Sequence, residues 1–217
     1  MVSSAGIASK RCSISDIVDQ EGTLSCPSVA ALCAPGAAAL DLADAVHALC
    51  QLHGPAPSII ELASHSEGAG SAGPWLRKVA AAFDQERAML VTLTAAVGPI
   101  PSTPRHAQSE AAINAQRHAL CTLAQSSRAG CSFGAALALL LEWHAIRRVL
   151  AAAAGRSGVA LLPHTLPSRA AIIAETDAVA AVASHGRALA FGAQQLAFQH
   201  HGLWQLLVAR AEARAAL

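Results

Sequence analysis

A carboxylate stands inside the most apolar stretch of this 217-residue chain: Glu142, within residues 130–146, between Leu141 and Trp143. At about 100° per residue on a helix, Glu142 shares an arc with Ala135, Ala138, Leu139, Ile146 and Val149. Phe133, Leu137, Leu140 and Leu141 make the rest of the circumference apolar. A helix that is apolar nearly all round is a central one, so Glu142 is expected to be buried. A buried carboxylate must find hydrogen bonds or a cation, or take up a proton. The sequence offers a cation upstream, where Glu86 and Arg87 interrupt the stripe of Phe83, Leu90 and Val97. The preferred expectation is an Arg87–Glu142 pair across the fold. Its plain meaning is an ion pair that fixes helix register; its chemical meaning is a functional carboxylate.

That chemistry would be a carboxylate-bridged metal site. Such a site in a helix bundle takes a Glu from each of two helices and a Glu-x-x-His step from each of two others. The set is half missing. Asp44-Ala-Val-His47 is the only related step, on an apparently polar face, and Glu142-Trp-His144 has the wrong spacing. Glu110 and Asn114 share a face, but no histidine follows at the required step. His118 with Cys121 and His47 with Cys50 give two His-x-x-Cys pairs. They could in principle make a tetrahedral zinc site, but the face of His118 reads as solvated. No metal or other cofactor is expected.

A third candidate is residues 191–204, FGAQQLAFQHHGLW. Gln194, Gln195, His200, His201 and Trp204 could line a ligand pocket. They could equally be a buried polar turn whose amides satisfy backbone groups near Gly202, the reading favoured here. No G-x-S-x-G and no Walker loop is present, so the common hydrolase and P-loop signatures are missing.

The elements that must position these residues are helical. Hydrophobic residues are 53% of the chain, largely alanine, and charged residues only 13%, against a usual share of about 25%. Punctuation is clear from residue 35 onward. One helix runs to His53; Ser58-Ile-Ile-Glu61 reads as a capping box for a short one. Gly73-Pro74 opens a third, lined by Leu76, Val79, Phe83, Leu90, Leu93 and Val97. Thr103-Pro104 should cap a fourth, and Gly130 precedes the fifth, which carries Glu142. Ser168 should cap a last segment, helical to near His200 with room for a bend at His185-Gly186, which either continues or restarts after Gly202 to the C-terminus. The expected fold is all-α, an antiparallel bundle of five or six helices over residues 35–217, with residues 1–34 as an irregular N-terminal arm holding at most a short helical turn near Ile14 to Val18.

Composition limits the functions. Net charge is +1 and basic residues are scattered, unlike a nucleic-acid stripe. Aromatics are 3% with no tyrosine, too few for base stacking. Mean hydropathy is +0.41, yet the most apolar window holds Glu142 and ends in Arg147-Arg148, so no membrane span or membrane contact is expected. The six cysteines form no C-x-x-C pair and read as reduced, cytosolic core residues.

The segments GPIPSTP (98–104), Glu86-Arg87-Ala88 and residues 191–204 resemble an uncharacterised bacterial all-helical family of unknown function, over most of residues 73–217. The resemblance implies the helical fold and carries no functional residues. The functional expectation is a non-catalytic, soluble, cytoplasmic bundle that works through a homo-oligomer or a protein partner. The alternative is a small-molecule or metal-binding bundle, ferritin-like, centred on Glu142.

Overall fold

The computed structural model describes residues 13–180 and 183–217. Every regular element among them is helical. The helices are α1 (Ile14–Glu21), α2 (Pro27–Leu32), α3 (Ala39–His53), α4 (Ile59–His65), α5 (Gly73–Ala96), α6 (His106–Ala124), α7 (Cys131–Ser157), α8 (Arg169–Ala180) and α9 (Ala183–Ala215). Short 3₁₀ turns at Thr23–Ser25 and Glu67–Ala72 precede α2 and α5.

α7 is the central helix. Every residue from Cys131 to Trp143 is buried, Glu142 included. Its most extensive partner is α9, while α3, α4, α5 and α6 close around its other sides. α7 and α9 approach backbone to backbone because two glycines face each other's helix. A Cβ on Gly192 would lie 2.0 Å from the Cys131 carbonyl oxygen, and one on Gly134 would lie 2.1 Å from that of Leu189.

The capping box at Ser58 forms as its residue types dictate. The Glu61 N–H donates to Ser58 Oγ at 3.1 Å, and the Ser58 N–H donates to Glu61 Oε2 at 3.3 Å. The expected α5 stripe is buried from Leu76 to Leu93. The Ala171 N–H donates to Ser168 Oγ at the start of α8. Thr103 does not cap α6; its hydroxyl donates to the Pro101 carbonyl and accepts from Arg214.

One further expectation is corrected. The stretch read as an irregular arm holds α1, a 3₁₀ turn and α2, and Ile14, Ile17, Val18 and Val29 join the main core. Ser13 and Asp16 form a second capping box that starts α1; helices this short carry too few apolar positions to show a period. Residues 1–12 of the proposed arm lie outside the described residues. Of the two courses left open at Gly202 the chain takes the continuous one: α9 runs unbroken through Gly186 and Gly202, because a long packed helix tolerates glycine at about 1 kcal/mol each. No helix among the described residues is long and apolar enough to cross a membrane.

Candidate functional site

Glu142 lies at the centre of a buried polar chain. Its relative exposure is 0%. Both carboxylate oxygens accept the backbone N–H of Thr23, at 3.0 and 2.8 Å. The Thr23 hydroxyl also donates to Oε2, and His200 Nδ1 donates to the same oxygen at 3.0 Å. Trp204 Nε1 completes that end by donating to Thr23 Oγ1 at 3.1 Å. These donors satisfy the carboxylate without an arginine, which is one of the two ways a buried carboxylate becomes tolerable. Gly22 makes the fit feasible: a Cβ there would lie 2.0 Å from Glu142 Oε1.

On its far side His200 meets His53. The two Nε2 atoms are 3.0 Å apart and the ring centroids 5.1 Å apart, so the rings meet end-on, nitrogen to nitrogen. One proton must lie between them. With His200 Nδ1–H given to Glu142, a neutral His200 offers Nε2 as acceptor and His53 Nε2–H donates. His53 Nδ1 is then a bare lone pair, and it is buried with no partner. Burial first, then His200 and Arg117, hold the His53 pKa well below its ordinary value. His53 stacks edge-on to Trp143, whose Nε1 donates to Glu86 Oε2 at 2.9 Å.

The expected Arg87–Glu142 pair does not form. Arg87 instead donates through Nε and Nη2 to the Gly54 carbonyl, at 3.1 and 2.8 Å, and pairs with Asp84. It thus caps the C-terminal end of α3, where carbonyls lack helical partners. The cation that reaches across to α5 is Arg147, which pairs with Glu86. Sequence spacing placed Glu86 and Arg87 together near one stripe but could not tell which of the two turns inward.

The polar side chains of residues 191–204 do converge, on residues 21–26. Gln194 donates to Glu21, His201 Nδ1 lies 3.4 Å from Cys26 Sγ, and His200 and Trp204 reach Glu142 and Thr23. Gln195 is half-buried and outside this set. The segment is the seat of the N-terminal helices, not a turn or an open pocket. Burial chiefly, then Glu142, raise the Cys26 pKa, which keeps it a thiol beside His201.

The remaining metal-ligand candidates do not assemble. His118 is exposed. Asp44, expected on a polar face, is buried and grips Arg210 in a fork, Oδ1 and Oδ2 accepting Nε at 3.1 and 2.9 Å and Oδ1 accepting Nη2 at 2.8 Å. Arg214 adds contacts to Asp44 and Asp41. His47 bonds the Gly98 carbonyl. Among the described residues no group of three or more His, Cys, Asp or Glu is placed to hold a metal ion.

Sequence reasoning did not single out Thr23, Gly22, His53 or Arg147. His53 directly before Gly54 was a visible signal, since a histidine in the last turn of an amphipathic helix must face either solvent or the core.

The surface offers one wide apolar groove. Ala31, Leu32 and Ala37 form one wall, and Leu207, Val208 and Ala211 of α9 the other; its volume is about 620 Å³. Glu212 lies on its rim, and Val208 and the nearby Leu40 are exposed. Across Ala34 and Ala37 it adjoins a smaller cleft bordered by Arg156.

These features define an all-α protein wound around one central helix, with a closed polar interior and a mostly apolar groove on its surface. The chain belongs to the family of unknown function DUF6975, which matches residues 18–215. That span includes Thr23 and the seat beneath it. No curated protein and no solved structure matches the chain.

Proposed function

We propose that this protein is a non-catalytic helical bundle that acts by contact, and that the contact is with a second copy of itself through the groove between residues 31–37 and α9. The observation that carries this reading is the groove. It is open and walled mostly by alanine, leucine and valine, with Ser28, Asp41 and Glu212 as its polar members, in a chain with half the usual share of charge. Exposed apolar surface of this kind marks contact sites. The rim favours a second copy. A two-fold contact sets each patch against its own image, and opposite charges border this one: Asp41 and Glu212 line the groove and Arg156 the adjoining cleft, so the reading pairs Glu212 of one copy with Arg156 of the other. The buried chain around Glu142 is spent on holding residues 21–26, so it offers no reacting group to solvent. The unpaired cysteines among the described residues favour a reducing, cytoplasmic setting.

Sedimentation over a concentration series tests the reading with Val208→Glu. Wild type is expected to pass from monomer to dimer as concentration rises, and the variant to remain monomeric with unchanged helicity. A variant that associates as wild type does would overturn the reading.

A further inference from the structure

The contacts between α3 and α9 differ sharply at the two ends of α3. Near its start Asp44 holds Arg210 in a fork, supported by Arg214. At its end the tie is His53 to His200. An arginine–carboxylate fork keeps its charges until the carboxylate is protonated, well below pH 5. A nitrogen-to-nitrogen contact between two imidazoles fails much sooner, because it tolerates only one proton between the rings.

We propose that the His53–His200 contact is an acid-operated latch that frees the C-terminal half of α3 from α9 while the Asp44–Arg210 fork holds its first turns. A second proton has two ways in. On His53 Nδ1 it makes a buried imidazolium and a buried N–H with no acceptor, since that nitrogen has no partner. On His200 Nε2 it forces His53 into the opposite tautomer, which creates the same orphaned N–H. Opening α3 relieves both.

The groups facing the latch favour this outcome. Arg117 of α6 donates to the Leu52 and Pro55 carbonyls beside His53. Arg87 of α5 donates to the Gly54 carbonyl. Both are cations next to a ring that would become one. From α7, Glu142 contacts His200 and not His53, and Cys26 of the N-terminal segment lies on the Glu142 side. Glu86 of α5 is separated from His53 by Trp143 and is already paired with Arg147. Among the described residues no carboxylate hydrogen-bonds to His53 itself. Burial and these neighbours depress its pKa, so the closed form resists the proton that the open form accepts.

Amide hydrogen exchange resolved along α3 tests the latch. If the opened His53 titrates near its ordinary value of about 6.5, opening is promoted roughly tenfold between pH 7.5 and pH 5.5. Protection in the last turns of α3, corrected for intrinsic exchange, is therefore expected to fall about tenfold in wild type. Protection around Asp44 should hold. His53→Gln keeps a neutral donor toward His200 and should show no such fall. Equal protection at both pH values in wild type, or a fall that persists in the variant, overturns the proposal. Should the variant not fold, imidazole NMR of wild type decides. His53 titrating near 6.5 with α3 protection unchanged overturns the latch; a His53 ring that stays neutral to pH 5.5 while protection falls supports it.

Discussion

Thr23 and Glu142, separated by 119 positions, are joined by the Thr23 backbone N–H and by its hydroxyl. The same hydroxyl accepts Trp204 Nε1. Thr23→Val keeps the shape and removes the hydroxyl, leaving the buried Trp204 indole N–H without its partner and Glu142 Oε2 with two of its three donors. Unsatisfied buried groups cost about 1–3 kcal/mol each. Urea unfolding is expected to show a loss in that range, with Thr23→Ser recovering most of it.

Close backbone approaches give a second expectation. Gly192→Ala and Gly22→Ala both place a methyl group 2.0 Å from an oxygen, the Cys131 carbonyl and Glu142 Oε1 respectively. Overpacking of this kind costs about 1–3 kcal/mol or more. Gly155→Ala in α7 meets nothing within 4 Å and should stabilise by about 0.5–1 kcal/mol, since alanine is the better helix former. Thermal melts of the three variants should fall on opposite sides of wild type.

The long helices and their buried stripes were legible in the sequence because each repeats one period over several turns. The burial of Glu142 followed from the same reasoning. Its partners did not, since Thr23 lies in a segment too short for periodicity and Arg87 differs from Glu86 by a single 100° step. The Ser13–Asp16 box was in plain view, with the same form as Ser58–Glu61, but no long apolar run follows it. Asp44 read as solvated because its own helix is amphipathic; its burial is imposed by α9, some 166 positions away.

Arg147 carries a third expectation. Its removal in Arg147→Met leaves Glu86, only 4% exposed, without its cation. Breaking a buried pair from one side costs about 3 kcal/mol, moderated here by the remaining Trp143 hydrogen bond. Arg87→Met, which loses carbonyl contacts and a half-exposed pair with Asp84, should cost less. Parallel denaturant titrations rank the two.

Stability should fall in mild acid. His53 and His144 both have pKa values held below the ordinary 6.5, burial being the main cause in each. Below pH 6.5 the unfolded chain therefore binds more protons than the folded one. The stability from keeping these rings neutral is fully present above 6.5 and is lost as pH falls toward their folded values. For His53 the slope approaches roughly 1 kcal/mol per pH unit. Melting temperatures at pH 7.5 and 5.5 check this, and His53→Gln should flatten the difference.

Self-association through the apolar groove can be probed by exchanging the charges paired across the proposed two-fold. Sedimentation equilibrium should show that Arg156→Glu and Glu212→Arg each weaken the dimer, and that the double variant restores it. A wild type that stays monomeric at all concentrations, or a double variant no better than either single one, would contradict the account.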